Sequence, residues 1–569
     1  MFIVKARNIT KSFADEMILN DVSFDLLKNE RVGLVGANGA GKTTLAQIIY
    51  GQLAPDSGKI EKQQNITIGY LHQSVDNTLQ EDALSSKEFY LRTSELGLQQ
   101  VQNWTNEQLA HLSGGERLKI TLAQIWATQP ELLILDEPTN HLDFQGVNWL
   151  INELKHFNGT VLIISHDRYF LDKTVSTIYD LEQGNLTIYS GNYTTYREKK
   201  KKLNADKLHQ YENMQKYKAN VEQQINQLQQ WSGKAHRNMN KQEGFKEYHG
   251  VKAKKIDKAI KSKMKRLNQE LEKKKIEKPI EEATVRFQFA ENKKRGKRMV
   301  EAERLEKSFG KRTLFKDSSF YINNGERIGL IGPNGSGKTT LLNMIIGQEQ
   351  QSSGKLIISQ ANKVAYLSQD VGDMPLSIRA IDALELTDQE EQFKARTILA
   401  NMGIHADKLM QPIATLSLGE RTRIKLTKIL LQGYNLLILD EPTNHLDLAS
   451  REQLEAALTD FTGTLLIVSH DYYFMNKLCN KLLVIENEKI IRVEMNLEQY
   501  EKRKQRQSEP NILGIKEELL CIETEITAVL GQMSLILPSS EEYIQLDEKF
   551  LSLTKKKREL INLLDKRNK

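Results

Sequence analysis

The feature that most constrains this 569-residue chain is an internal repeat, in which five motifs recur in the same order. "GANGAGKTT" begins at Gly36 and "GPNGSGKTT" at Gly332, 296 residues apart, and "YLHQ" and "YLSQ" place Gln73 and Gln369 at the same offset. "LSGGE" at 112 and "LSLGE" at 416 are 304 apart, as are "LLILDEPTNHLD" at 132 and 436 and "SHD" at 165 and 469. The copies therefore differ by one net insertion of eight residues, between the glutamine and the "LS.GE" run. Such a chain must form two units of one fold, which also suits its length, since a domain usually holds about 100 to 200 residues.

Each motif has a chemical use. In G-x-x-x-x-G-K-[ST], glycines let backbone N–H groups wrap phosphates at a helix N-terminus, where the dipole favours anions. The predicted phosphate loops comprise Gly36, Asn38, Gly39, Gly41, Lys42, Thr43 and Thr44, and Gly332, Asn334, Gly335, Gly337, Lys338, Thr339 and Thr340. Lys42 and Lys338 are expected to hold β- and γ-phosphates, and Thr43 and Thr339 to ligate Mg²⁺. The apolar "LLIL" runs read as buried strands that end in Asp136 and Asp440, placed to hold Mg²⁺ directly or through water. Gln73 and Gln369 are assigned to the same ion. Glu137 and Glu441 are candidates to orient or deprotonate the attacking water. His166 and His470, each after an apolar run, are assigned a γ-phosphate contact because they repeat; a lone histidine would read as packing or surface. Phe13 and Phe309, each 23 residues before the phosphate loop, are candidates to stack on adenine, with a core aromatic as the alternative. The expected fold class is α/β, two tandem phosphate-loop NTPase domains, and the expected cofactors are ATP and Mg²⁺.

These residues resemble the ATP-binding cassette family over nearly all of 1–196 and 281–497, "LSGGE" being that family's signature. The resemblance implies two cassettes paired head to tail within one monomer, each ATP held between the loop of one and the signature of the other. Ser113, Gly114 and Gly115 would then cap the nucleotide on Lys338, and Ser417 and Gly419 the one on Lys42. Leu418 departs from the pattern; if that position needs positive φ, leucine strains it and hinders closure of the Lys42 site.

Composition excludes several alternatives. The apolar runs, such as "ELLILDE", are far below the ~18 residues of a membrane span, and "MFIVKARNITKSF" lacks the apolar core of a secretory signal, so a cytoplasmic protein is expected. Cys479 and Cys521 are too few for an iron–sulfur cluster or a four-cysteine zinc site. The net charge of +6 is unevenly spread: residues 197–280 hold 24 Lys or Arg against 10 Asp or Glu, or +14, leaving −8 elsewhere.

That basic segment is expected to be a helical hairpin linker. Met214, Tyr217, Val221, Ile225 and Leu228 form one stripe at three- and four-residue steps, and Ile256, Ile260, Met264, Leu267 and Leu271 form a second. The predicted first helix runs from Arg197 to Trp231, about 50 Å at ~1.5 Å per residue. The predicted tip lies near 232–250. Residues 231–268 hold 12 Lys or Arg against 3 acids, interspersed with Trp231, Phe245 and Tyr248, a combination suited to structured RNA rather than to a mere spacer. Lys254, Lys255, Lys263, Lys265 and Arg266 are assigned to a phosphate-gripping shaft, and Met239, Asn240, Phe245 and Tyr248 to the tip. Residues 498–569, with 13 basic and 13 acidic side chains, read as a C-terminal helical extension in two stretches, 513–533 and 541–566.

Tandem cassettes joined by a basic hairpin resemble the ABC-F family of ribosome-associated ATPases, and the run from Trp231 to Leu267 looks most like the linker of its antibiotic-resistance branch. Only 38 residues separate Gln73 from Leu112, too few for the arm that housekeeping members carry there. The resemblance implies ATP-dependent binding of the bacterial 70S ribosome at the tRNA exit site, contact with rRNA and P-site tRNA, and protection of the peptidyl transferase centre. The drugs it implies are pleuromutilins, lincosamides and group A streptogramins. A housekeeping translation factor and the ATPase of a membrane transporter are the alternatives.

Overall fold

The computed structural model describes residues 1–14, 16–72, 93, 114–140, 142–239, 246–273, 298–359, 363–368, 374–386, 388–404, 406–444, 446–508, 512–533, 546–547, 549–558 and 560. In the first cassette the strands are β1 (Phe2–Phe13), β2 (Glu16–Leu27), β3 (Arg31–Val35), β4 (Ser57–Lys62), β5 (Ile68–Leu71), β6 (Leu132–Asp136), β7 (Thr160–Ile164), β8 (Thr177–Glu182) and β9 (Asn185–Ser190). In the second they are β10 (Arg298–Phe309), β11 (Arg312–Asn323), β12 (Arg327–Ile331), β13 (Ser353–Ile358), β14 (Val364–Leu367), β15 (Leu436–Asp440), β16 (Thr464–Val468), β17 (Lys481–Glu486) and β18 (Lys489–Val493).

The repeat in sequence becomes a repeat in topology. Each cassette pairs a 3-stranded antiparallel sheet, β2-β1-β4 or β11-β10-β13, with a 6-stranded sheet, β5-β6-β7-β3-β8-β9 or β14-β15-β16-β12-β17-β18. Within the larger sheets the strands are parallel except the last pair, and the registers match, Asp136 opposite Ile164 and Asp440 opposite Val468. β6, β7, β15 and β16 are buried throughout, as expected where apolar cores cover both faces of a parallel sheet. β3 and β12 lie inside their sheets, between strands reached by opposite crossovers, so their carboxyl ends open where ligands bind in such folds.

At those ends the chain turns into the helices Lys42–Tyr50 and Lys338–Ile345 through Gly41 (φ 96°) and Gly337 (φ 97°). A Cβ on Gly41 would lie 2.5 Å from Ile18 Cγ2, so both conformation and space demand glycine.

Between the cassettes run the helices Tyr193–Met239, of 47 residues and hence about 70 Å, and Lys246–Lys273, which pack together with Val221 and Ile260 buried. The first is rooted by Tyr193 and Tyr196 in the core of the first cassette, and it begins before Arg197 and passes Trp231. The expected end of the first helix at Trp231 is thus corrected: one Gly233 in a run of helix formers costs only about 1 kcal/mol, too little to end a helix. Asn240 and Phe245 of the expected tip lie outside the described residues, as do the side chains of Met239 and Tyr248. Lys254, Lys255, Lys263, Lys265 and Arg266 are all exposed along the second helix.

After the helix Leu497–Ser508, the helix Ile512–Met533 packs Ile522 and Val529 inward and is tied by Glu523 to Lys557 at 2.9 Å, in the helical stretch 549–558. Among the described residues no helix is long and apolar enough to cross a membrane.

Candidate active site at the seam between the cassettes

Two cavities lie where the cassettes meet. One, of about 680 Å³, is lined by Asn334, Gly335, Gly337, Lys338, Thr339, Thr340, Asp440, Glu441, His470 and Phe309 of the second cassette and by Gly114, Glu137, Asn140 and Asp167 of the first. The other, of about 620 Å³, is lined by Phe13, Asn38, Gly39, Gly41, Lys42, Thr43, Thr44, Asp136, Glu137 and His166, with Asn444, Leu446 and Arg451 from the second cassette. Both volumes suit a small-molecule ligand. Phe13 and Phe309 stand half exposed at these walls, 49% and 50%, which frees their faces for stacking.

Within each loop the lysine is held by its own backbone: Lys42 donates to the carbonyls of Gly36 and Ala37 at 3.0 and 2.9 Å, and Lys338 to those of Gly332 and Pro333 at 2.9 and 3.1 Å. Thr339 Oγ1 donates to Asp440 Oδ2 at 3.1 Å, and Thr43 is bonded to Asp136 in the same way. Tyr70 and Tyr366 donate to these aspartates at 3.4 and 3.3 Å. Asp136 Oδ1 is buried and accepts no hydrogen bond, so the threonine–aspartate pair has a lone pair to give a small hard cation. Among the described residues no cluster of three or more His, Cys, Asp or Glu has metal-holding geometry, and what they offer an Mg²⁺ is these threonine–aspartate pairs.

Glu137 and Glu441 both sit at φ 50°, a left-handed conformation that costs a non-glycine residue about 1–3 kcal/mol and gathers at functional sites. Burial pushes their carboxyls up to about 7 and about 8, and Oε1 of each accepts no hydrogen bond. Facing them are His166 and His470, whose Nε2 atoms lie 3.5 and 3.4 Å from Glu137 Oε1 and Glu441 Oε1. Burial and the nearby lysines hold both imidazoles neutral, His470 down to about 4 and His166 well below its ordinary range. Each cavity therefore combines an anion cradle, a cation pair and a carboxyl poised near neutrality beside a neutral imidazole, which is a geometry for activating water against a phosphoryl group.

The structure distributes the signature residues unequally. Gly114 begins the helix Gly114–Ala127 and lines the cavity of Lys338, with Gly115 next to it; Ser113 lies outside the described residues, as do Gln73 and Gln369. Ser417 caps the helix Leu418–Leu431 in a reciprocal box with Glu420, and neither it nor the buried Gly419 is among the described lining residues of the Lys42 cavity. Leu418 is the first residue of that helix and does not have positive φ, so the expected strain is absent: helical N1 accepts any L-residue.

Sequence reasoning missed the residues that join the cassettes. Arg168 Nη2 pairs with Glu455 and lies 3.2 Å from Asp471, Tyr169 stacks on Tyr472 at 4.6 Å, Tyr473 donates to Asp172 at 2.5 Å, and Asn334 N donates to Asp143 Oδ2 at 3.3 Å. Arg451 Nη1 donates to the carbonyl of His166 at 3.0 Å. A position-by-position comparison of the copies at the 304 offset carries the signal, since it sets Arg168 against Tyr472, Val147 against Arg451 and Ile151 against Glu455.

Comparison with known proteins gives the following. The profile of the family described as "ABC transporter" matches residues 19–140 and 315–444. The chain is 42% identical over 564 residues to the ribosome protection protein VmlR of Bacillus subtilis (strain 168), covering 98% of each. It is 30% identical to ABC transporter F family member 5 of Arabidopsis thaliana, over 85% of this chain and 75% of that one. Among solved structures, RNase-L Inhibitor superposes with a TM-score of 0.59 over 88% of this chain and 93% of that one; at 19% identity the likeness is one of fold.

Proposed function

Because the chain belongs to the ABC-F family of tandem ATP-binding cassette proteins, we propose that it is an ATPase that protects the bacterial ribosome from antibiotics bound at the peptidyl transferase centre. The observation that carries this reading is that a basic helix pair, 193–239 and 246–273, lies in the chain between two cassettes that build two cavities jointly, its root held by Tyr193 and Tyr196 in the first cassette and by the ion pair of Arg197 with Glu452 of the second. Closing the cassettes and moving the helix pair then become one event. The relative's name, ribosome protection protein, agrees with that reading and supplies its partner class.

In this mechanism ATP brings the phosphoryl group and Mg²⁺ the charge that offsets its oxygens. Lys42 and Lys338 would hold the phosphates, Thr43 with Asp136 and Thr339 with Asp440 would hold the cation, and Gln73 and Gln369 are assigned to the same ion. Phe13 and Phe309 stack on adenine. Glu137 and Glu441 accept the proton of the attacking water, while neutral His166 and His470 offer a hydrogen bond to the γ-phosphate without adding a positive charge. The ATP-closed form enters the tRNA exit site beside P-site tRNA, the lysines and Arg266 of the shaft grip rRNA phosphates, and the tip acts near the drug. Hydrolysis resets it.

The test is sedimentation of the full chain with 70S ribosomes, set beside flotation with membrane vesicles. The Glu137→Gln, Glu441→Gln double variant in ATP is expected to stay with ribosomes, and expression of the unmodified chain is expected to raise tolerance to pleuromutilins, lincosamides or group A streptogramins. Association with vesicles instead of ribosomes would point to a transporter ATPase, and ribosome binding without any change in drug tolerance to a general translation factor.

A further inference from the structure

The two cavities are alike in their motifs and unlike at one side chain. Arg451, on the helix Leu448–Thr459 of the second cassette, has a largely buried side chain and lines both cavities. Its guanidinium is fixed at three points. Nε donates to the carbonyl of Leu446 at 3.0 Å, and Nη1 lies 3.3 Å from Asp471 Oδ2 and donates across the seam to the carbonyl of His166 at 3.0 Å. His166 in turn donates its backbone N–H to Glu137 Oε2 at 3.4 Å and places Nε2 near Glu137 Oε1. A planar donor of fixed fork thus pins the segment that carries the imidazole facing the Lys42 site.

At the other site Arg451 reaches Asp471 and not the carbonyl of His470, and among the described residues no side chain of the first cassette grips that carbonyl. The residue 304 positions earlier is Val147, which has no donor and is buried in the first core. His470 instead meets the ring of Phe144 edge-on, with centroids 5.9 Å apart. An apolar edge excludes water but does not hold a carbonyl in place.

We propose that Arg451 is a positioning residue for hydrolysis at the Lys42 site: it reaches across the seam to fix the His166 carbonyl, sets His166 against Glu137, and so makes water attack at that site depend on cassette closure, while the Lys338 site works without it. The assignment rests on the ATPase reading above. If the cassettes separate, Arg451 leaves with the second one, and the His166 segment loses its tether. The groups around the guanidinium are Glu137, Lys42, His166 and Asp167 from the first cassette and Glu441 and Asp471 from the second.

The experiment places Arg451→Met and Arg451→Lys in two backgrounds of the full chain, Glu441→Gln, which leaves the Lys42 site to turn over, and Glu137→Gln, which leaves the Lys338 site. In the first, Arg451→Met is expected to lower single-turnover hydrolysis about ten-fold or more with KM for ATP within about two-fold, as for a lost charged hydrogen bond that acts on the attack itself. In the second the change is expected to stay within about three-fold, and Arg451→Lys is expected to recover part of the loss in the first by keeping a cation in donor range. A second reading, hydrogen exchange of the ATP-bound chain, is expected to speed up at the amides of 166–168 and not at 470–472. Equal loss in both backgrounds, or no loss in the first, overturns the assignment, and where a background is itself inactive the exchange pattern decides. No hydrolysis by the unmodified chain is a different failure, since it removes the ATPase reading and this assignment with it.

Discussion

Arg168 and Glu455 form a buried ion pair across the seam, and their counterparts in the repeat, Tyr472 and Ile151, cannot form one. Glu455 is 2% exposed and also meets Lys477 at 3.0 Å. Breaking a buried pair from one side leaves an uncompensated charge, a loss of about 3–5 kcal/mol, whereas removing both partners is much milder. Arg168→Met is therefore expected to lower the first thermal transition by about 5 °C or more, and the double variant Arg168→Met, Glu455→Met to lie closer to the unmodified chain than the sum of the single losses. Strict additivity in the cycle would mean that the pair contributes no coupling.

Turnover should depend on pH through the buried glutamates. The base must be ionised to accept a proton, and burial raises Glu137 to about 7 and Glu441 to about 8, so activity should rise with pH across that window. His166 and His470 stay neutral across the same range and supply no descending limb there. A steady-state profile from pH 5.5 to 9 that is flat between 6 and 8.5 would refute the role of the two glutamates as bases.

The same shifts fix how stability depends on pH. A carboxyl whose folded value is raised binds its proton more tightly when folded, so stability falls as pH rises from the unfolded value, about 4.3, and the full penalty is present above the folded one. Glu137→Gln removes an ionisable group from that site. The variant without nucleotide is expected to melt higher than the unmodified chain at pH 8.5, by a margin worth on the order of 3 kcal/mol, and to lose the advantage by pH 4.5. Melting curves of both proteins at several pH values decide it, and a margin that does not change with pH would show that the gain has another source.

Neutralising the shaft should act through counterions. Lys254, Lys255, Lys263, Lys265 and Arg266 are exposed on one helix of the linker, and each phosphate contact releases roughly 0.7 to 0.9 of a cation. Replacing all five with Gln is expected to weaken ribosome binding and to reduce the slope of log affinity against log salt by up to about 4. Sedimentation at several salt concentrations measures this, and an unchanged slope would place the RNA contact elsewhere.

Much of the site was legible because phosphate chemistry imposes fixed spacings: the loop residues, the strand-end aspartates, the glutamates, the histidines and even Phe13 and Phe309 gather around the two cavities. Arg451 was not legible, because nothing in its local sequence marks a residue whose partner is a backbone carbonyl 285 positions away. Leu418 misled in the opposite direction. A glycine in a motif suggests a demand for positive φ, yet the position is an ordinary helical one, so backbone strain at Leu418 is not a source of inequality between the two sites. In the linker, the first helix runs past its expected end at Trp231 because helix propensity along a long polar run outweighs a single glycine.

The charge cluster at the seam also distinguishes an unlike couple of halves from a like one. Two first cassettes brought face to face would set Arg168 against the apolar Ile151, and two second cassettes would bury Glu455 and Asp471 opposite Tyr472, with no guanidinium from the other half's position 168. Only an unlike couple sets a guanidinium at position 168 against a carboxylate at position 455. A fold built by doubling thereby gains a contact that only its unlike halves can make, and the difference between the halves carries information that their shared motifs do not.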